Sequence, residues 1–119
     1  MSKLVRDKIP ELIIKDGKFP ITTWLNIHEY KDALIDKLFE ETHELAEAAS
    51  PSGNRQAVLE EAADVLEVVL AILADYNFLD PLDALLKKRV EKWLERGGFS
   101  KGISLIEVKD KPTYEFGGK

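Results

Sequence analysis

There is no cysteine among the 119 residues, which removes disulfides, thiolate metal ligands and a cysteine nucleophile at once. Histidine occurs twice and methionine once, so any polar chemistry must rest on carboxylates and basic side chains. No apolar run approaches the roughly 20 residues that a bilayer-spanning helix needs. The opening MSKLVRDKIP also lacks the uninterrupted apolar segment of a secretory leader. A cytoplasmic location with no membrane partner is the expectation. Positive charge is in deficit too: 17 Lys and Arg stand against 22 Asp and Glu, a net charge of −5, which argues against duplex nucleic acid as a partner.

What is present is the composition of a folded protein, 45% hydrophobic, in a length that suits one domain. The expected domain spans 1–119, with its core over about 27–105 and a tail over 106–119. KLVRDKIPELIIKDG predicts a loop and a brief helix entered at Pro10, and FPITTWLN has strand character. Leu34, Ile35, Leu38, Phe39, Leu45 and Ala49 recur at helical spacing and predict a long helix from about Ile27 to Ala49. SPSGN breaks that pattern. A second helix is predicted from about Arg55 to Tyr76, with Val58, Leu59, Ala62, Val65, Leu66, Val69, Leu70 and Leu73 facing inward. Asp80 caps a third, with Pro81 at its first position, and Gly97 and Gly98 stop it after Arg96. GISLIEVK alternates like a strand, and PTYEFGGK is expected to be a loose end. The fold class is therefore all-α, a helical bundle with short extended segments at both ends.

Successive residues on a helix are rotated by about 100°, and this separates two kinds of acid. In the second helix Glu60 and Glu67 lie opposite the apolar arc and are expected to be solvated. Glu61 and Asp64 lie at its border, among Val65, Val68 and Ile72. The first helix repeats the arrangement, with Glu41 and Glu44 at the border beside Ala48, and Glu40 and Glu47 further round. A carboxylate at the edge of a core is costly unless paired or neutralised. Two antiparallel helices would bring both pairs together, and four facing carboxylates call for a cation; oxygen-only ligands select Mg²⁺, or Mn²⁺. In the third helix Arg89, Lys92 and Arg96 fall inside or beside the arc of Leu85, Leu86 and Trp93, which makes them candidate phosphate contacts, with Gly97 and Gly98 letting backbone amides approach. Trp24 and Trp93 are expected in a core or a subunit interface.

EETHE (Glu40 to Glu44), followed fifteen residues later by EEAAD (Glu60 to Asp64), resembles the EExxE and EExxD motif pair of the all-α nucleoside triphosphate pyrophosphohydrolases. The opening KLVRDKIPELI and the later RVEKWLERGGF resemble a short MazG-like branch related to phosphoribosyl-ATP pyrophosphohydrolase. The resemblance covers about residues 3 to 105. It implies Mg²⁺ held by Glu41, Glu44, Glu61 and Asp64, the four that the helical period selects. It also implies hydrolysis of a nucleotide between its α and β phosphates, giving a nucleoside monophosphate and pyrophosphate, with nucleotide-pool house-cleaning as a role. Glu40 or Glu44 then orients or deprotonates the attacking water, and the N-terminal similarity adds Arg6 and Lys8 to the substrate-binding set. The apolar arc of the second helix is wider than one partner helix covers, and together with the resemblance it predicts a homodimer or a dimer of dimers.

Two rival readings belong to other classes. One is a non-catalytic helical oligomerisation or regulatory module whose acids are structural. The other is a carboxylate-bridged di-iron bundle, suggested by the Glu-x-x-His of Glu40 to His43; that class needs a second such motif, and Asp64 stands where its histidine should be. His43 itself points away from the predicted core, and His28 is expected at the surface.

Overall fold

The computed structural model describes residues 2–112. Four helices follow one another: α1 (Ile9–Lys15), α2 (Ile27–Ala48), α3 (Arg55–Asp75) and α4 (Pro81–Arg96). There is no strand among the described residues. The regular structure of the described residues is all-helical, as the periodicity predicts. It divides into two compact units, one ending at Leu86 and the other beginning at Lys87, with the boundary inside α4.

Local chemistry explains where the helices start. Pro10 opens α1, where its missing N–H costs nothing. Asn26 and Glu29 form a reciprocal capping box at α2, each side chain accepting from the other's backbone N–H at 2.9 Å. Asn54 accepts from the amides of Gln56 and Ala57 at the head of α3. Asp80 accepts from the Asp83 amide at the head of α4. The turn between α2 and α3 admits only glycine at position 53, because a Cβ there would sit 2.1 Å from the carbonyl oxygen of Ala48.

α2 and α3 pack against each other as an antiparallel hairpin. Lys31, near the start of α2, pairs with Asp75 at the end of α3 and lies 4.7 Å from the ring centre of Tyr76. Leu34 (3% exposed) and Val68 (7%) are the buried hydrophobic residues.

The face that α3 turns to α2 differs from the periodicity reading. The predicted arc placed Leu59 and Leu66 inside; both are exposed, and Val68, about 180° round the helix from Leu59, is buried instead. On α2, Ile35 and Phe39 are exposed as well. α3 is apolar on two sides, and a hairpin covers only one.

The two strand expectations fail. Neither FPITTWLN nor GISLIEVK forms a ladder. Alternation gives a segment a face, but a strand also needs a neighbour to receive its backbone hydrogen bonds. Trp24 is 98% exposed and Trp93 is exposed too, so neither belongs to a core of this chain. Of the expected loose end, residues 113–119 lie outside the described residues.

Candidate metal centre

The stripe that buries the hairpin's apolar residues also carries its acids inward. Glu41 follows Leu34 by seven residues on α2, and Glu61 and Asp64 precede Val68 by seven and four on α3, so each acid shares a helix face with a buried residue. Glu41 is only 7% exposed, and Glu61 and Asp64 are half-buried. One carboxylate oxygen from each of the three lies within 4.8 Å of the others. Glu41 Oε2 and Glu61 Oε2 are buried without a hydrogen-bond partner. Buried polar atoms are nearly always satisfied, and orphaned carboxylate oxygens facing a third carboxylate could hold a metal ion.

Two basic side chains partly balance this charge. Lys37 Nζ lies 2.8 Å from Glu40 and 3.3 Å from Glu41 Oε1. Burial works against the Lys37 charge, but the two carboxylates outweigh it and hold its pKa above the usual lysine value. The Lys37 hydrogen bond pulls Glu40 below the ordinary glutamate range. Glu41 moves the other way: its burial pushes the pKa up, Lys37 opposes this, and nearby Glu44 adds to the rise. Arg6 supplies the second cation, donating from a guanidinium nitrogen to Asp64 Oδ1 at 2.6 Å.

Beside these groups runs a cleft of about 410 Å³, walled by the N-terminal segment from Leu4 to Lys8, by α2 and by α3. That volume lies within the range of small-molecule sites. Leu34, Val68 and Ala71 give it an apolar floor; Arg6, Lys8 and Lys37, with the acids Asp7, Glu41, Asp64 and Glu67, give it charge.

Of the residues singled out from the sequence, Glu41, Glu61 and Asp64 come together, and Arg6 and Lys8 line the adjoining cleft. Glu44 is exposed and outside the converging set, and Glu40 is taken up by Lys37. Glu60 is exposed, as expected of a solvated face; Glu67 is exposed too, but it lines the cleft. Arg89, Lys92 and Arg96 are exposed on the part of α4 beyond Leu86, and Arg96 lies 3.6 Å from Glu95. The Gly97 amide, expected to be open to phosphate, donates to the Trp93 carbonyl and closes α4. His43 is exposed, 3.5 Å from Glu47 and apart from the three acids, so no histidine joins the cluster as a di-iron site would require.

Sequence reasoning passed over Lys37. A signal existed, since Lys37 precedes Glu40 and Glu41 by three and four residues, the spacings at which helix side chains meet. Glu67 had no such signal, because its place on the cleft wall depends on which side of α3 faces α2.

No family model matches the chain, and no solved structure matches it. A curated protein of Mycolicibacterium smegmatis, described as an uncharacterized protein, is 47% identical over 60 residues, half of this chain and 57% of that protein. The chain thus matches little more than half the length of this relative.

Proposed function

We propose that this chain is a Mg²⁺-dependent nucleoside triphosphate pyrophosphohydrolase, cleaving between the α and β phosphates to release a nucleoside monophosphate and pyrophosphate. The observation that carries the reading is the pair of orphaned oxygens, Glu41 Oε2 and Glu61 Oε2, converging with Asp64 beside a cleft that also presents Arg6, Lys8 and Lys37. Acids for a cation next to bases for an anion suit a metal-bound polyphosphate. The motif pair EETHE and EEAAD, with its resemblance to the all-α pyrophosphohydrolases, supplies the reaction class.

In this reading Glu41, Glu61 and Asp64 hold Mg²⁺, with Mn²⁺ as the alternative ion and Glu44 at the edge of the set. Bound Mg²⁺ supplies charge neutralisation at phosphate oxygens and makes water a better nucleophile near neutral pH. Glu44 suits the task of orienting or deprotonating that water better than Glu40 does, because the Lys37 hydrogen bond occupies Glu40 and makes it a weaker base. Lys37 keeps Glu41 in place, and Arg6 and Lys8 take phosphate oxygens. The apolar floor receives the less polar part of the nucleotide. Phosphate contacts by Arg89, Lys92 and Arg96 rest on the helical-period reading and the resemblance.

The reading includes self-association, as a homodimer or a dimer of dimers, because Phe39, Leu59 and Leu66 leave an apolar surface on the hairpin and a second copy would bury it. A cytoplasmic role in nucleotide-pool house-cleaning completes it; no helix among the described residues is long and apolar enough to cross a membrane.

A panel of canonical and modified (d)NTPs with phosphoribosyl-ATP, assayed for pyrophosphate release, tests the proposal. A nucleoside triphosphate is expected to be the best substrate, with release abolished by EDTA. No pyrophosphate from any of them, with Mg²⁺ or Mn²⁺ supplied, would overturn it.

A further inference from the structure

The three acids of the cluster are not balanced in the same way. Lys37 serves Glu41 from within α2, three and four residues from its two partners and largely buried. Arg6 serves Asp64 from 58 residues away in sequence, and its side chain is half exposed. Its backbone is held just before α1, where the Arg6 carbonyl accepts from the Ile9 amide at 3.0 Å, while its guanidinium extends across the cleft to α3. An anchored main chain with a long, half-exposed side chain can exchange one anionic partner for another without moving a helix.

We propose that Arg6 is a built-in counter-cation for the cluster, a latch that a divalent cation displaces from Asp64 and that then takes an anionic oxygen of the ligand in the same cleft. The proposal rests on the reading of Glu41, Glu61 and Asp64 as a cation site and concerns what that site holds before the cation arrives. Asp64 Oδ1 is engaged by the guanidinium at 2.6 Å, so a cation that draws on that oxygen competes with Arg6. The freed guanidinium remains on a wall it shares with Lys8 and Lys37, where its planar donor fork matches a phosphate group. Cation and polyphosphate then assist each other through Arg6: the cation releases the donor that the anion uses, and the anion draws that donor away from the acid that the cation uses.

The latch makes opposite predictions for the two ligands. Removing Arg6 frees Asp64 and should tighten the binding of the metal alone, by up to about fivefold for a pair this exposed. The same change removes a phosphate contact and should weaken anion binding to the metal-loaded protein. A purely structural Arg6 would weaken both or neither.

The experiment is Mn²⁺ titration of the wild-type chain, Arg6→Ala and Arg6→Lys, followed by the loss of the free-ion electron paramagnetic resonance signal. Calorimetry with inorganic pyrophosphate under excess Mg²⁺ follows, with circular dichroism as the fold control. Expected are tighter Mn²⁺ and weaker pyrophosphate binding in Arg6→Ala, with Arg6→Lys between it and wild type. Equal or weaker Mn²⁺ binding by a folded Arg6→Ala overturns the latch and leaves the metal site standing, as does unchanged pyrophosphate binding. Mn²⁺ binding by neither wild type nor variant overturns the cation site itself, and the latch with it.

Discussion

The ammonium of Lys37 stands 3.3 Å from Oε1 of Glu41, while the other oxygen of that carboxylate is buried with no donor. One side of Glu41 is thus satisfied by the protein and the other is open to a ligand. A buried carboxylate oxygen without a donor is costly, and a bound cation would relieve that cost.

Glu41→Gln should therefore separate stability from metal binding. The variant loses a charge whose burial raises its pKa, so the melting temperature in EDTA is expected to hold or rise, by up to about 1 kcal/mol, roughly 4 °C. Mn²⁺ binding and pyrophosphate release should both be lost, and Glu61→Gln should behave alike. Glu60→Gln is expected to be nearly silent. A clear fall in the melting temperature of Glu41→Gln, with Mn²⁺ binding intact, would contradict the assignment.

Lys37→Met leaves Glu40 and the buried Glu41 without their shared cation. Leaving a buried carboxylate unpaired in this way costs about 1–3 kcal/mol, so the melting temperature in EDTA should drop by several degrees. Saturating Mg²⁺ should recover much of the loss, because the metal neutralises the same carboxylate. A deficit equally large with and without Mg²⁺ would show that Glu41 does not contribute to the cation site.

The other end of the hairpin contributes to behaviour in alkali alongside Lys37, whose pKa is raised as well. Lys31 is raised above 10.5 chiefly by its hydrogen bond to Asp75. Tyr30 is raised above 10.0 by burial first and then by the Asp75 and Asp7 carboxylates. A group whose folded pKa lies above its unfolded value favours the folded state fully below the unfolded value, and that contribution disappears as pH rises through the folded value. Thermal stability should thus be level to about pH 10 on this account and decline beyond it. Lys31→Met should decline less steeply between neutral pH and pH 11; an identical slope would remove Lys31 from the explanation.

Leu59 and Leu66 test self-association. Each apolar side chain buried between copies contributes about 1.5–3 kcal/mol, and a glutamate there would put a charge into the contact. Sedimentation equilibrium at low micromolar concentration is expected to give a dimer or tetramer for wild type and a 13.5 kDa monomer for Leu66→Glu. A wild-type monomer that is compact and fully active would exclude the assembly.

What the sequence determined by itself was local. The helix starts at Pro10 and Asp80 were legible because capping and proline preferences act within a few residues; the Asn26 cap was not read from the sequence. Glu41, Glu61 and Asp64 were legible because 100° steps separate border acids from solvated ones. Tertiary structure decided the rest. α3 is apolar on two sides, and its periodicity cannot say whether Val68 or Leu59 faces α2; the hairpin places Val68 inside, and with that choice Glu67 joins the cleft wall and Leu59 is left to solvent. The Arg6 and Asp64 pair joins residues 58 apart, and no helical period spans such a distance, because only the folded backbone brings the N-terminal segment across α3.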